Sequence, residues 1–547
     1  MDQRPIPPTK MRLQQVFVWL ASKKATRLQL ILIGALLPLA VTLQWENKAY
    51  ISDIGGHADE AAHVVTGLML RDYVAGPLWR GESPVAFAGD YYARFPKIAI
   101  GHYPPLFYVF EGLWLLPIRN QAMTLLFCAL VTSMTGALVI RAGVPILGWP
   151  ASLAAGIAFC LYRPIQTYTA IVMSDLMVMG WCLAAVLAWD RFMRTERAAW
   201  SLTFGAFAAA AILTKGTGLL LALVPPFTLL LSRRLDLLRR RPLWWATIPV
   251  ALLALPWMLA TSHITREGMT GQTSLEFFWT AVPFYVQATP VFLGWTTTVA
   301  LVLAIIGLVH QAVLRKPLSP SVSILWALLF STYLLCCSVP AGLDERYLLP
   351  ALPSCLLLGS LQIRSFARQF IQSQSLKIDS IACGCFCAAA TLLLVAGKHD
   401  APDKWISGPS ALCTQAAALA DSLDRPVRLL VSSDATGEGS VIAAAALRAS
   451  EQVAVLRGSK VLASSDWMGR DYQPHFDSSQ TLSELLEVNR VDLLIIDDGI
   501  RGEKLAPHQR LLNELLGNSE QTGCDLVSTV PTERREQIAE FRVFRVR

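Results

Sequence analysis

The sequence predicts a polytopic α-helical membrane protein with a soluble α/β domain at its C-terminal end. Three observations lead there. Hydrophobic residues make up 54% and charged residues 16% of the 547, against roughly 45–50% and about 25% in an ordinary soluble domain. Long apolar stretches fill most of the chain up to residue 397, with short basic clusters between them. From about residue 398 the composition becomes that of a soluble domain. A large multi-domain soluble enzyme is excluded, as is a disordered or fibrous chain. The net charge is +7. Because its basic residues sit between apolar runs and not on one stripe, it reads as membrane topology and predicts no nucleic-acid partner.

At the N-terminus, Lys10, Arg12, Lys23, Lys24 and Arg27 precede the run Leu28 to Leu43. No small-residue cleavage site follows, so this is an uncleaved first helix with its N-terminus in the cytoplasm. Further apolar stretches lie near 104–118, 121–140, 148–162, 171–190, 198–214, 216–232, 243–260, 291–313, 321–339, 347–363 and 378–397. Clusters at Arg191/Arg194/Arg197, Arg233/Arg234/Arg239/Arg240/Arg241, Arg315/Lys316 and Arg364/Arg368/Lys377 mark cytoplasmic turns. A large loop at 47–103, the segment 261–290, the turn Asp344 to Arg346 and everything after about 398 then fall on the outer, extracytoplasmic face of the cell's inner (plasma) membrane. That arrangement needs an odd number of spans, eleven or thirteen. The weakest candidate is 104–118, short, opening on Pro104-Pro105 and containing Glu111; it reads as re-entrant or interfacial. The expected division is therefore a membrane body, 1–397, and an outer α/β domain, 398–547.

In the second part, Val427 to Ser432, Val453 to Leu456 and Val491 to Ile496 read as buried strands. Helical stretches at 438–449 and 480–488 separate them, and a helix at 507–516 and a strand-like tail at Phe541 to Val546 follow. This alternation predicts a small parallel sheet. The turn Asp434-Ala435-Thr436-Gly437-Glu438-Gly439-Ser440 matches neither G-x-G-x-x-G nor a P-loop and is read as an ordinary strand-to-helix turn. Nine cysteines lie inside apolar runs as small hydrophobes; Cys413 and Cys524 lie outside them and could form one disulfide.

The chemistry gathers in the first loop. In His57-Ala58-Asp59-Glu60-Ala61-Ala62-His63 and the residues that follow, Val64, Val65, Leu68, Met69 and Leu70 recur at helical spacing. Asp59 falls where an N-cap would sit, so its carboxylate either caps that helix or serves chemistry. The loop returns to the membrane through Lys97, His102 and Tyr103-Pro104-Pro105-Leu106. This combination resembles the polyprenyl-phosphate-sugar-dependent membrane glycosyltransferases of the GT-C fold, whose relatives include protein O-mannosyltransferases and the lipid A aminoarabinose transferase. In these families an Asp-Glu pair starts a helix after the first span and a Pro-Pro-Leu or Lys-Pro motif leads into the next. Three later pieces agree in order: Asp175 near the start of a span, Thr214-Lys215-Gly216, and Asp344-Glu345-Arg346-Tyr347-Leu348-Leu349-Pro350. Together they cover roughly residues 50 to 360 and leave the C-terminal domain uncovered.

The resemblance implies transfer of a sugar from a polyprenyl-phosphate-linked donor to an acceptor on the outer face, with Asp59 as general base. Such a donor carries a good leaving group, so transfer needs a base and cations for the departing phosphate, with little call for an acid. Glu60, Lys97, His102, Tyr103, Asp175, Lys215, Arg346 and Tyr347 are the implied substrate-binding residues. An intramembrane lysine such as Lys215 is costly and defaults to a functional or paired role. Lys97 could equally snorkel at the interface, and His102 could be a hydrogen-bonded loop residue. Some relatives bind a divalent ion through a histidine after an aromatic run like Phe277-Phe278-Trp279; here Thr280 to Pro283 follow, and the expectation is a metal-free mechanism without cofactor. The partners implied are the lipid-phosphate sugar, membrane lipids and an envelope glycan, lipid or protein as acceptor. The competing reading is a transporter or flippase of lipid-linked sugars, which would favour internal repeats and a midplane polar path.

Overall fold

A computed structural model describes residues 23–373, 380–395, 404–448, 452–465, 471–516, 523–534 and 537–547. Lys10, Arg12, Lys377 and the 397/398 boundary lie outside the described residues. Among the described residues the apolar stretches fall mainly on helices: α1 (Lys23–Glu46), α2 (Glu60–Ala75), α3 (Pro84–Arg94), α4 (Leu106–Trp114), α5 (Gln121–Leu147), α6 (Trp149–Leu161), α7 (Arg163–Ala170), α8 (Asp175–Thr195) and α9 (Ala198–Thr214), then α10 (Val224–Ser232), α11 (Arg241–Ala260), α12 (Leu275–Val313), α13 (Pro320–Ser338), α14 (Leu352–Ser373) and α15 (Ser380–Leu393). Local chemistry sets several starts: the side chain of Asn120 accepts from Met123 N at 2.8 Å to open α5, and that of Ser274 accepts from Phe277 N at 3.0 Å to open α12.

Among the described residues, six helices are long and apolar enough to cross a membrane: Arg27–Glu46 of α1, then α5, α8, α11, α12 and α13. The remaining expected spans fall on shorter apolar helices, such as α6 and α9, or on the less apolar α14. Gly294, at φ 71°, breaks α12 in two, so the span read at 291–313 is its second half. The stretch at 104–118 is not a span. Its helix α4 has 9 residues, about 14 Å of rise, against a hydrocarbon core of about 30 Å. It lies instead on α2, where a Cβ on Gly112 would come within 3.0 Å of Gly67 O. That close approach is what the glycine permits.

The C-terminal region forms a six-stranded sheet from β1 (Ile406–Ser407), β2 (Val427–Ser432), β3 (Val453–Arg457), β6 (Leu493–Asp497), β7 (Cys524–Arg534) and β8 (Gln537–Val546), ordered β1-β7-β8-β6-β2-β3; β4 (Ala463–Ser464) and β5 (Gln473–Pro474) form a separate pair. The three predicted buried strands are the parallel part, β3-β2-β6. The sheet is mixed rather than wholly parallel, because β8 and β7 add antiparallel strands beside β6. Helices α16 (Pro409–Leu423), α17 (Ala435–Leu447), α18 (Ser479–Val488) and α19 (Pro507–Leu516) cover it. Asp434 Oδ1 accepts from Gly437 N at 2.6 Å and caps α17, as an ordinary strand-to-helix turn requires.

Alternation along the strands sends Leu429 and Val431 to one face and Leu430 to the other. The first face does not close on its own helices alone. Val441 and Ile442 of α17 share one buried cluster with Val64, Leu68 and Phe107 of the first loop and α4. Each such side chain contributes about 1.5–3 kcal/mol of burial, so the sheet is fixed onto the loop and not merely tethered to it. Cys413 belongs to this core and Cys524 to the core on the opposite face. Both are free and buried, so the disulfide does not form.

Candidate active site at the start of the first loop helix

Asp59 precedes α2 with helical backbone angles, φ −84° and ψ −18°, and its side chain makes no capping hydrogen bond. The capping alternative therefore falls. Its Oδ2 instead accepts from Tyr103 Oη at 3.0 Å and from Arg346 Nη1 at 3.1 Å. Tyr103 arrives from the return of the loop, where Pro104 and Pro105 set the turn before α4. Arg346 arrives from the 3₁₀ turn Glu345–Ala351, whose start Asp344 caps by accepting from Arg346 N at 2.9 Å. The same Asp344 holds the guanidinium, with Nε 3.0 Å from its Oδ2. A second pair lies beside the first: Lys215 Nζ donates to Asp175 Oδ1 at 2.6 Å, and both residues are buried. Lys215 Nζ sits 5.3 Å from the centre of the Tyr347 ring and 5.8 Å from that of Tyr103. The Arg346 guanidinium is 5.3 Å from the Tyr347 ring. Asp59, Tyr103, Asp175, Lys215, Arg346 and Tyr347, spread over nearly 290 residues, thus form one cluster.

Two histidines complete it. Asp59 N donates to His57 Nδ1 at 3.1 Å, and His57 Nε2 is 3.3 Å from Arg346 Nη1. His63, one turn along α2, is fully buried; its Nδ1 is 2.9 Å from Tyr108 Oη and its ring stands edge-on to Tyr103. Its Nε2 has no partner among the described residues. Burial pushes the Asp59 carboxyl up, but Arg346, then His63 and His57, outweigh it and hold the group well below the usual carboxylate range. Burial lowers His63 to about 4 and, with Arg346, lowers His57, so both imidazoles are neutral at pH 7. Burial opposes the charge of Arg346, yet Asp175 first, and Tyr103, Tyr347 and Asp59 after it, keep it firmly cationic. The site is thus an ionised carboxylate, with a quarter of its side chain exposed, facing fixed cations.

The other expected residues go elsewhere. Glu60 is fully buried: Oε2 accepts from Gly55 N at 2.9 Å and Gly56 N at 2.7 Å, and Oε1 from Val172 N at 3.1 Å and Lys404 Nζ at 2.8 Å. These contacts make it a brace inside the protein, not a group facing the cluster. Lys97 reaches the C-terminal region, donating to Ala435 O at 3.1 Å, and burial lowers it to about 8. This is not interfacial snorkelling. His102 faces Glu267 and the Ile264 backbone, away from the contacts of Asp59. Among the described residues, no group of three or more His, Cys, Asp or Glu is placed to hold a metal ion.

No protein-family model and no curated protein matches the chain. Among solved structures it is similar to ArnT from Cupriavidus metallidurans in the apo state, at 13% identity, with a TM-score of 0.54 over 94% of this chain and 98% of that one; the same protein is also solved bound to undecaprenyl phosphate. The Archaeoglobus fulgidus oligosaccharyltransferase tethered with an acceptor peptide matches at 10% identity and a TM-score of 0.53, over 92% of this chain and 74% of that one. The arabinofuranosyltransferase AftD from Mycobacteria matches at 14% identity and 0.52, over 94% of this chain and 40% of that one. These neighbours are GT-C proteins, and the helical body of this chain has the GT-C fold.

Proposed function

We propose that the protein is a membrane glycosyltransferase that moves a sugar from a polyprenyl-phosphate donor to an acceptor hydroxyl or amine. The observation that carries this reading is the Asp59–Arg346 contact: an ionised carboxylate, unused for capping, held by a cation that a phosphate would attract. The fold agrees, since neighbours were solved with undecaprenyl phosphate and with a dolichol-phosphate.

The donor phosphate competes with Asp59 for Arg346, whose planar fork suits phosphate oxygens. As Arg346 turns to the phosphate, the cause of the depressed Asp59 pKa is withdrawn, and the carboxylate becomes a better base once a donor is present. The acceptor attacks the anomeric carbon, the bond from that carbon to the phosphate oxygen breaks, and Asp59 takes the acceptor's proton. Arg346 and Lys215 stabilise the charge on the leaving phosphate. Asp175 orients Lys215, Tyr103 orients Asp59, and Tyr347 walls the cations. Glu60 positions the loop. In this reading the cluster and the sheet lie on the extracytoplasmic face of the inner membrane, the N-terminus is cytoplasmic, and the units divide near 397/398. The acceptor is an envelope glycan, lipid or protein.

A transfer assay with a radiolabelled polyprenyl-phosphate sugar and the full-length protein tests this. Donor consumption with label appearing on an acceptor is the expected result. Label that crosses the bilayer with the donor intact would identify a flippase instead.

A further inference from the structure

The parallel part of the C-terminal sheet is wound in both directions. From β2 the chain crosses through α17 to β3, with Val441 and Ile442 in the core on the Leu429 and Val431 face; it returns through α18 to β6, with Leu482 and Leu486 in the core on the Leu430 face. Strand order therefore reverses at β2, and a crevice opens beyond the carboxyl ends of β2 and β6, where open α/β sheets take their ligands. Asp434 follows the first of these strands and Asp497 ends the second. Arg534, at the end of β7, joins them, with Nη2 2.6 Å from Asp497 Oδ2 and Nη1 3.4 Å from Asp434 Oδ1.

The first loop closes the crevice into a cavity of about 200 Å³, lined by Asp434, Thr436, Arg534 and Lys404 with Ile171 and Ile406 as apolar sides. Gly55 and Gly56 complete the wall. Gly55 has φ 145°, and a Cβ there would collide with Ser440 Oγ, so only glycine lets α17 come this close. Gly56 is three residues from Asp59, at most about 11 Å of chain.

The walls select the occupant. Lys404 and Arg534 already face Glu60 Oε1 at 2.8 Å and Asp497, so an anion would find these cations spent and Asp434 in its path. Asp434 engages Gly437 N and Arg534 through Oδ1, which leaves Oδ2 to accept; Thr436 adds a hydroxyl that can donate or accept; Lys404 gives one of its three N–H donors to Glu60. Mixed donors and acceptors between apolar sides match a ring with hydroxyls on its rim and C–H groups on its faces. A volume of about 200 Å³, below the roughly 300–1,000 Å³ of a drug-sized pocket, holds one such ring.

We propose that this crevice binds one neutral sugar ring of a glycan, at a subsite apart from the Asp59–Arg346 cluster. Asp434 and Thr436 take its hydroxyls from the sheet side and Lys404 from the other. That the glycan is the acceptor, anchored here so that a neighbouring unit meets Asp59, rests on the proposed function; the binding itself does not.

Saturation-transfer NMR tests it, with the full-length protein in nanodiscs free of sugar-based detergent and with methyl glucopyranoside, mannopyranoside and galactopyranoside as probes. At least one should bind saturably. Thr436→Val keeps the shape and removes the hydroxyl, and Asp434→Asn keeps an oxygen to cap α17; each should weaken binding about fivefold with the thermal midpoint unchanged. Thr436→Val decides the matter should Asp434→Asn fail to fold. Binding with these losses upholds the subsite even in a protein that transfers no sugar. No saturable binding of any of the three, or binding that the variants leave unchanged, would overturn it even in a protein that does. Preferential binding of uridine diphosphate, weakened by the same variants, would make the crevice a nucleotide site and overturn the proposal.

Discussion

Asp59 and Glu60 are adjacent, carry the same charge and belong to two different regions of the molecule. Asp59 faces outward to Tyr103 and Arg346, with part of its side chain in solvent. Glu60 faces inward to two glycine amides, the Val172 amide and Lys404, with none. A helical step of about 100° separates them, and that step is enough to give one carboxylate a site and the other a joint. The difference teaches that an acidic pair at a helix start is not a dyad. In the proposed reading its members divide between chemistry and assembly according to what the rest of the chain brings to each face.

The largest effect expected from breaking this division is on turnover. Asp59→Asn keeps the shape and removes the proposed base, so sugar transfer should fall by roughly 10²–10⁴-fold. Its stability should change by less than about 1 kcal/mol, as for other partly exposed ion pairs. Near-normal turnover would assign Asp59 to structure alone. Glu60→Gln should do the reverse. It leaves Lys404 buried without its counter-charge, so unfolding free energy should drop by about 3–5 kcal/mol, read as a lower thermal midpoint in detergent. If Glu60→Gln were instead fully stable and inactive, the roles would be exchanged.

Smaller effects sharpen the picture around these two. Arg346→Lys retains charge but loses the fork, and donor affinity should weaken about tenfold with little change in thermal midpoint. The smallest is the pH response of Lys97. Its pKa is lowered in the folded state to about 8, so between pH 8 and the ordinary lysine value the unfolded chain binds more protons, and stability should rise with pH. Lys97 keeps part of its side chain in solvent, which keeps the slope shallow. Lys97→Met should flatten it; an unchanged slope would place its origin elsewhere.

The helical body was readable because apolar runs of helical length are a strong local signal. The weakness of 104–118 as a span was legible too, since its Pro104-Pro105 opening and Glu111 mark it out, and the nine-residue α4 is too short to cross. In the C-terminal region, the parallel strands and their helices were legible, whereas β7 was not. Its Ser528, Thr529, Pro531 and Glu533 dilute any alternation, and only the pairing with β8 makes it a strand. The buried face of α16 is built largely from small residues, Cys413, Ala416 and Ala420, which leave no strong apolar stripe in the sequence. At the site, Asp59, Tyr103, Asp175, Lys215 and Arg346 were singled out through motifs in separate segments. Their convergence could not be read from any one of them. His63 was within reach, since it lies four residues after Asp59 on the same helical face. Lys404 was not: its partner Glu60 is 344 residues away.

The central claim is that Arg346 leaves Asp59 for the donor phosphate, and lipid-phosphate affinity tests it most directly. Titrating wild type and Asp59→Asn with polyprenyl phosphate in nanodiscs compares the two states of the pair. Removing the carboxylate frees Arg346 and relieves repulsion of the incoming anion, so Asp59→Asn should bind the lipid phosphate a few-fold more tightly while transferring almost no sugar. Weaker or unchanged binding in Asp59→Asn, with the fold intact, would contradict the exchange and with it the account of how the base is prepared.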